Sequence, residues 1–313
     1  MSTLPAAGSG PKVVCIGGGH GLAQALQAVS SYAGSLRAVV TVADDGGSSG
    51  RLAPALDIPP PGDIRRCMLA MTTEDSLWRR LFEYRFHGSD VRGHSLGNLL
   101  IAALADLEGD FGSGLHTAER LLGARGSVIP AAPVHLRLHA EISGDVVSGQ
   151  ATIGRARGTI ERIWVEPQSA RASEEAVRTI RDADQIVLGP GSLYTSLLAT
   201  LVVPGITEAI ADSAASVVYV ANLITQDGET LGMDLTAHVK ALLDLAGLGD
   251  LTAIVAGSGT VDVASPLEPV QADPEGVAPL GIEFVSAELA DPSAPWPQHE
   301  PGRLGTVLAT LAN

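Results

Sequence analysis

KVVCIGGGHGLAQALQAVSSY, residues 12–32, reads as a strand, a turn and a helix with no spacer between them. KVVCI at 12–16 is a short apolar run, Gly17, Gly18, Gly19, His20 and Gly21 follow at once, and LAQALQAVSSY at 22–32 has its apolar residues at helical spacing. Glycines at this junction let a ligand approach the backbone closely, and the N–H groups of a helix start favour negative charge. The pattern is not a complete dinucleotide fingerprint: it lacks the third spaced glycine and an acidic residue about 20 positions on. A tight turn without a ligand is the plainer alternative, and His20 fits a turn residue better than a catalytic base.

LRAVVTVA at 36–43 is rich in β-branched residues and too apolar for a wet face, so it reads as the second parallel strand. It ends in Asp44-Asp45, then Gly46, Gly47, Ser48, Ser49, Gly50 and Arg51. The loop therefore leaves a carboxyl strand end, where open α/β sheets bind ligands. Adjacent carboxylates there can hold a hard cation, with Mg²⁺ bridging to phosphate through Asp44 and Asp45. The Ser48 and Ser49 hydroxyls can bond phosphate or sugar oxygens, and Arg51 can clamp a phosphate bidentately. A simple Asx-type turn is the competing reading.

Further along, Pro59-Pro60-Pro61-Gly62 halts the chain and Asp63 reads as the N-cap of a helix over 64–71 carrying Arg65 and Arg66. Basic groups in a first helical turn oppose the macrodipole unless an anion sits there. Helices are expected at 76–86, at 95–107 after Gly93-His94, and at 114–122, giving a helical insertion at about 63–125. His94, Ser95 and Asn98 surround one of these helix starts, either as cap and flank or as substrate contacts. Alternation in 135–142 and 159–166 predicts strands with one solvated face, an antiparallel excursion on the edge of the parallel sheet.

A helix at 173–182 then precedes QIVLG at 185–189, which returns to the parallel-strand pattern. Gly189, Pro190, Gly191 and Ser192 open another helix, where Ser192, Thr195 and Ser196 can reach a phosphate or cap the helix. Strands are expected at 216–222, 251–256 and 282–285, with helices near 234–246 and 302–311. Asn222 and the polar loop with Thr225 and Gln226 again follow an apolar strand. Polar strand exits of this kind converge on one rim, where a nucleotide-like ligand fits. The expected fold is a doubly wound, Rossmann-like α/β protein with a mainly parallel sheet: a disordered leader at 1–11 and a single domain at 12–313.

The chain has 45% hydrophobic, 18% charged and 4% aromatic residues, which excludes disordered and fibrous classes. No apolar run reaches the roughly 18 residues of a membrane span, and the first residues lack a signal peptide's basic and apolar regions; a cytoplasmic location without membrane contact is expected. Cys15 and Cys67 are too few for a disulfide framework and sit among apolar neighbours. Residues 1–181 hold 18 basic and 18 acidic side chains, whereas 182–313 hold 17 acidic ones against only Lys240 and Arg303. Nucleic acid is thus no expected partner, and an anionic ligand must be held by arginines of the first half and by backbone N–H groups.

The ordered set GGGHG (17–21), TVADDGGSSGRL (41–52), PPGDIRRC (60–67), LFEYRF (81–86), GHSLGNLLIAAL (93–104), VLGPGSLYTSLLATLVVPGI (187–206) and ANLITQDGET (221–230) resembles the bacterial gluconeogenesis-factor family. That family is related to the 2-phospho-L-lactate transferases of deazaflavin cofactor synthesis. PPGDIRR and GHSLGN place the resemblance in the gluconeogenesis-factor branch. It implies a Rossmann-like fold, binding of a UDP-sugar such as UDP-N-acetylglucosamine, a role in carbon metabolism, cell-wall synthesis and cell shape, and no known reaction. The chain departs from the family's usual Thr at His20 and usual Glu near Gln150, and it has no tyrosine beyond Tyr219 to stack on a base.

Two functions compete on these grounds, beside the plainer alternative of an interaction scaffold whose pocket has lost its ligand. One is a nucleotide-sugar-binding regulator acting through a protein partner or a conformational change, with homo-oligomerisation left open. The other is an Mg²⁺-dependent transferase of a phospholactyl-like group from a nucleotide-activated donor, with Asp44 or Asp45 holding the metal against the leaving diphosphate.

Overall fold

In a computed structural model, which describes residues 9–72, 76–88, 90–249, 251–259 and 261–312, the chain is a mainly parallel, Rossmann-like α/β fold. Most of the expected leader lies outside the described residues. The parallel strands are β1 (Lys12–Gly17), β2 (Ser35–Val40), β3 (Ser127–Pro130), β7 (Gln185–Leu188), β8 (Ser216–Val220), β9 (Ala253–Gly257) and β10 (Glu283–Ala287). They form a seven-stranded sheet in the order β10-β9-β8-β7-β1-β2-β3. The order reverses between β1 and β7, so the crevice beside their carboxyl ends is the ligand position of such sheets.

Continuous apolar runs follow from burial on both faces. In β1, Val14 and Ile16 enter one core while Val13 and Cys15 enter the other; in β8 the same division separates Val217 and Tyr219 from Val218 and Val220. The second core is closed by α1 (Gly19–Val29), α3 (Pro61–Ala70) and the C-terminal helix Pro301–Thr310, which lie side by side. Cys15 and Cys67 are both buried in it, as read from their neighbours.

Between β2 and β3 the chain runs through α2 (Ser49–Leu56), α3, α4 (Leu77–Glu83), α5 (Leu96–Glu108) and α6 (Phe111–Leu122). Helical structure thus begins at Ser49, within the segment read as a flexible loop: only 41–48 is irregular, and α2 continues through Pro54. Likewise α3 starts at Pro61, with Pro60 as its N-cap. Asp63 is therefore a first-turn residue and not the cap, because Pro at the first helical position is pre-set for helix and has no N–H to satisfy.

The antiparallel segment is a sheet of its own, β5-β4-β6, made of β4 (Arg137–Ile142), β5 (Asp145–Ser148) and β6 (Ile160–Glu166). It is not hydrogen-bonded to the edge of the parallel sheet. Leu138, Ala140, Ile163 and Val165 anchor it in the first core, and the short helix α7 (Gln150–Ile153) follows β5 toward the crevice. Among the described residues no helix is long and apolar enough to cross a membrane.

Candidate functional site

Above the switch point lies a groove with two compartments. The larger, about 720 Å³, is lined by Gly18, Gly19, His20, Gly21 and Gln24 from the β1–α1 junction, by Pro190–Ser192 and Ser196, by 222–227, and by Leu267 and 296–299. The smaller, about 330 Å³, is lined by Asp44, Asp63, Arg66, Gln150, Arg155, Thr195 and Glu229 among others. Gly19, Ser192, Ser196 and Gln226 line both, so the compartments are continuous. The larger one offers Leu223, Ile224 and the half-exposed ring of Trp296, with Asp227 as its one carboxylate among the described residues, while the smaller one holds most of the charge.

At the β1 exit, α1 begins at Gly19 after Gly18, with no side-chain cap and no acidic residue in its first turn. The first amides of a helix lack intrahelical acceptors, so those of Gly19, His20 and Gly21 face the groove for a ligand or solvent. The glycines are steric requirements. A Cβ on Gly21 would lie 2.5 Å from the Pro190 carbonyl oxygen, and one on Gly18 would lie 2.7 Å from an Asp63 carboxylate oxygen. Burial, with Arg66 and Arg65 nearby, lowers the pKa of His20 and favours the neutral ring.

The β7 exit differs. Asn222 holds Gly191 from both sides, accepting from its N–H (3.0 Å) and donating to its carbonyl (2.9 Å). Glu229 accepts from the amides of Tyr194 (3.0 Å) and Thr195 (3.3 Å), from the Thr195 hydroxyl (2.6 Å) and from the Gln226 amide (3.0 Å). The Ser192 hydroxyl donates to Gln226 (2.8 Å), closing the set. Thr195 and Ser192 are therefore bonded to protein groups. Burial raises the pKa of the Glu229 carboxyl, opposed by the bonds from Thr195 and Tyr194.

The two adjacent aspartates part company. Asp44 faces the smaller compartment, where Gly46 N–H (2.9 Å) and Ser49 bond it and burial, with Asp63 close by, raises its pKa. Asp45 turns away to accept the Ala151 N–H (2.8 Å), fixing the start of α7. The expected Asp44-Asp45 metal pair is thus not assembled, because the amide of α7 takes the second carboxylate; Asp63 and Glu229 share the compartment with Asp44, and Asp63 is the one whose charge acts on it. Among the described residues no group of three or more His, Cys, Asp or Glu side chains is arranged to hold a metal.

Arg51 lines neither compartment. Its guanidinium donates to the Arg92 carbonyl (3.0 Å), outside the groove in which it was expected to clamp a phosphate. Arg65 is also committed, to Asn98 (2.9 Å) and the Phe82 carbonyl (3.0 Å). Asn98 donates to Ser48, Ser48 pairs with His94 (3.0 Å), and Ser95 caps α5 by accepting the Asn98 amide (3.1 Å). These residues form a buried network that braces α2, α3 and α5 behind the groove. Gly17 and Gly189 close their strands below it. Thr225 lines the larger compartment while its hydroxyl accepts from the Glu268 amide.

The cations that do reach the smaller compartment are Arg66, which is ion-paired to Asp63, and Arg155. Arg155, Glu229, Gln24 and Trp296 escaped the sequence reading. Glu229 stood in a polar loop already singled out, but Arg155 and Trp296 reach the groove only through the packing of α7 and of the Pro-rich segment 292–301.

The family model of the 2-phospho-L-lactate transferase CofD matches residues 13–290. A gluconeogenesis factor of Halalkalibacterium halodurans is 42% identical over 88% of this chain and 88% of its own length. That of Bacillus subtilis is 39% identical over 97% of this chain and 99% of its own. A crystal structure of a protein from Bacillus halodurans superposes with a TM-score of 0.91 at 38% identity, covering 96% of this chain and 99% of that one.

Proposed function

Because the chain belongs to the family of the 2-phospho-L-lactate transferase CofD and is a relative of the gluconeogenesis factors, we propose that its groove binds a nucleotide-sugar of the UDP-N-acetylglucosamine kind. Binding would report to a protein partner in the control of carbon metabolism, cell-wall synthesis and cell shape. The observation that carries this reading is the open first turn of α1 between an apolar and a polar compartment. The base lies against Trp296, Leu223 and Ile224; the diphosphate receives the amides of Gly19, His20 and Gly21, with Arg66 and Arg155 nearby; the sugar hydroxyls enter the polar end. Isothermal titration with UDP-N-acetylglucosamine tests it. Saturable heat is expected, and its absence alongside clear binding of a guanine nucleotide overturns the reading.

The facing carboxylates of Asp44 and Asp63 favour a second reading, phosphoryl-group transfer. These two would hold Mg²⁺, which is commonly bound by one or two carboxylates plus substrate phosphates and would neutralise the nucleoside monophosphate that leaves as the bond between the donor's two phosphates breaks. Metal-dependent release of a nucleoside monophosphate from a phospholactyl donor, with a deazaflavin acceptor present, would put it ahead.

A further inference from the structure

Glu229 is a carboxylate only 8% exposed with no cation paired to it among the described residues. What it has instead is the start of the continuous helix at 193–201, whose second and third amides point at its Oε2. Oxygens held by two main-chain N–H groups at a helix start, with a hydroxyl and an amide on the other side, match the donor set that a bound phosphate or carboxylate receives. Asn222 takes the Gly191 N–H of the same loop. The exit therefore has its anion already, supplied from the turn 225–230. That turn is pressed against α7: a Cβ on Gly228 would lie 2.4 Å from the Gly154 carbonyl oxygen, which leaves no space between them.

We propose that Glu229 is a built-in anion that fills the amide nest of the β7 exit and thereby sets the direction in which a ligand lies in the groove. This rests on the nucleotide-sugar reading for the ligand's identity, but not for the nest itself. With the nest filled, a second phosphate finds a carboxylate where the fold would offer amides. Diphosphate is held at α1, and the part next to Glu229 must be uncharged and rich in hydroxyls. Glu229 is a positioning residue: it acts on the ligand's register through charge and through Gln226, which bridges it to Ser192.

Removing the carboxylate should turn the nest into an anion site. Glu229→Ala is expected to melt below the parent protein and to gain more stability from formate than the parent does, because both keep the amides of α1 and only the variant has the emptied nest. An equal response of both proteins to formate overturns the proposal. A second arm compares UDP with UDP-N-acetylglucosamine by titration. Glu229→Gln keeps the volume and removes the charge, so the affinity ratio should move at least about fivefold toward UDP (roughly 1 kcal/mol), with no formate response beyond the parent's. An unchanged ratio also overturns it, and this variant serves if Glu229→Ala does not fold. If the parent protein binds no nucleotide-sugar, the functional reading fails while the formate arm still decides the role of Glu229.

Discussion

The exits of β1 and β7 face each other across the switch point, each running from a buried strand through a glycine-rich turn into a helix, yet one is open and the other closed. At β1 the helix begins uncapped. At β7 the Gly191 amide is taken by Asn222 and the next helical amides by Glu229. The closing groups come from the segment after β8, not from the exit itself. Strand–turn–helix grammar thus tells where amides point, while a distant loop decides whether they are available to a ligand.

The closed side can be broken by acid. His299 is 4% exposed, burial pushes its imidazole down to about 4, and its ring donates to the carbonyl of Ala221, immediately before Asn222. Below about 6.5 the unfolded chain takes up a proton that the folded protein refuses, so stability falls with pH until the folded value is reached. Over that window this group alone should cost about 3 kcal/mol, at 1.36 kcal/mol per unit. Urea unfolding at a series of pH values measures it. His299→Gln should flatten the difference between pH 6.5 and 4, and a variant as acid-sensitive as the parent would mean His299 does not carry the effect.

The open side can be made to resemble the closed one. His20→Asp places a carboxylate in the first turn of α1, where its charge favours the helix dipole but competes with phosphate. UDP-N-acetylglucosamine should then bind about a hundredfold more weakly, or ~2.7 kcal/mol. Thermal stability should hold or rise slightly. Undiminished affinity in calorimetry would remove α1 as the phosphate site.

The sheet was legible because strands such as β1, β7 and β8 are buried on both faces and so are written as unbroken apolar runs. The rim was legible for a related reason: polar and glycine residues gather where those runs stop. What could not be read is which polar group each rim residue meets. Asp45 finds its partner at Ala151 and Arg65 finds Asn98 and Phe82, contacts set by packing between segments far apart in the chain. Gly46-Gly47-Ser48-Ser49 has loop composition, so α2 was hidden until α3 and α5 packed on it. Trp296 was concealed by the prolines around it.

The smallest expected effect isolates the lock on Gly191. Asn222→Ala removes two hydrogen bonds to a half-buried loop whose N–H and carbonyl can turn to water, so the net loss should be about 1 kcal/mol in denaturant unfolding. It frees one amide at the closed exit but leaves Glu229 in place. If the diphosphate lies at α1, nucleotide-sugar affinity should move by less than about threefold, under ~0.7 kcal/mol. A tenfold or larger loss would mean that the ordered Gly191 loop itself holds the phosphate. The contrast between the two exits would then be one of degree, with Asn222 preparing an amide for the ligand and not withholding it.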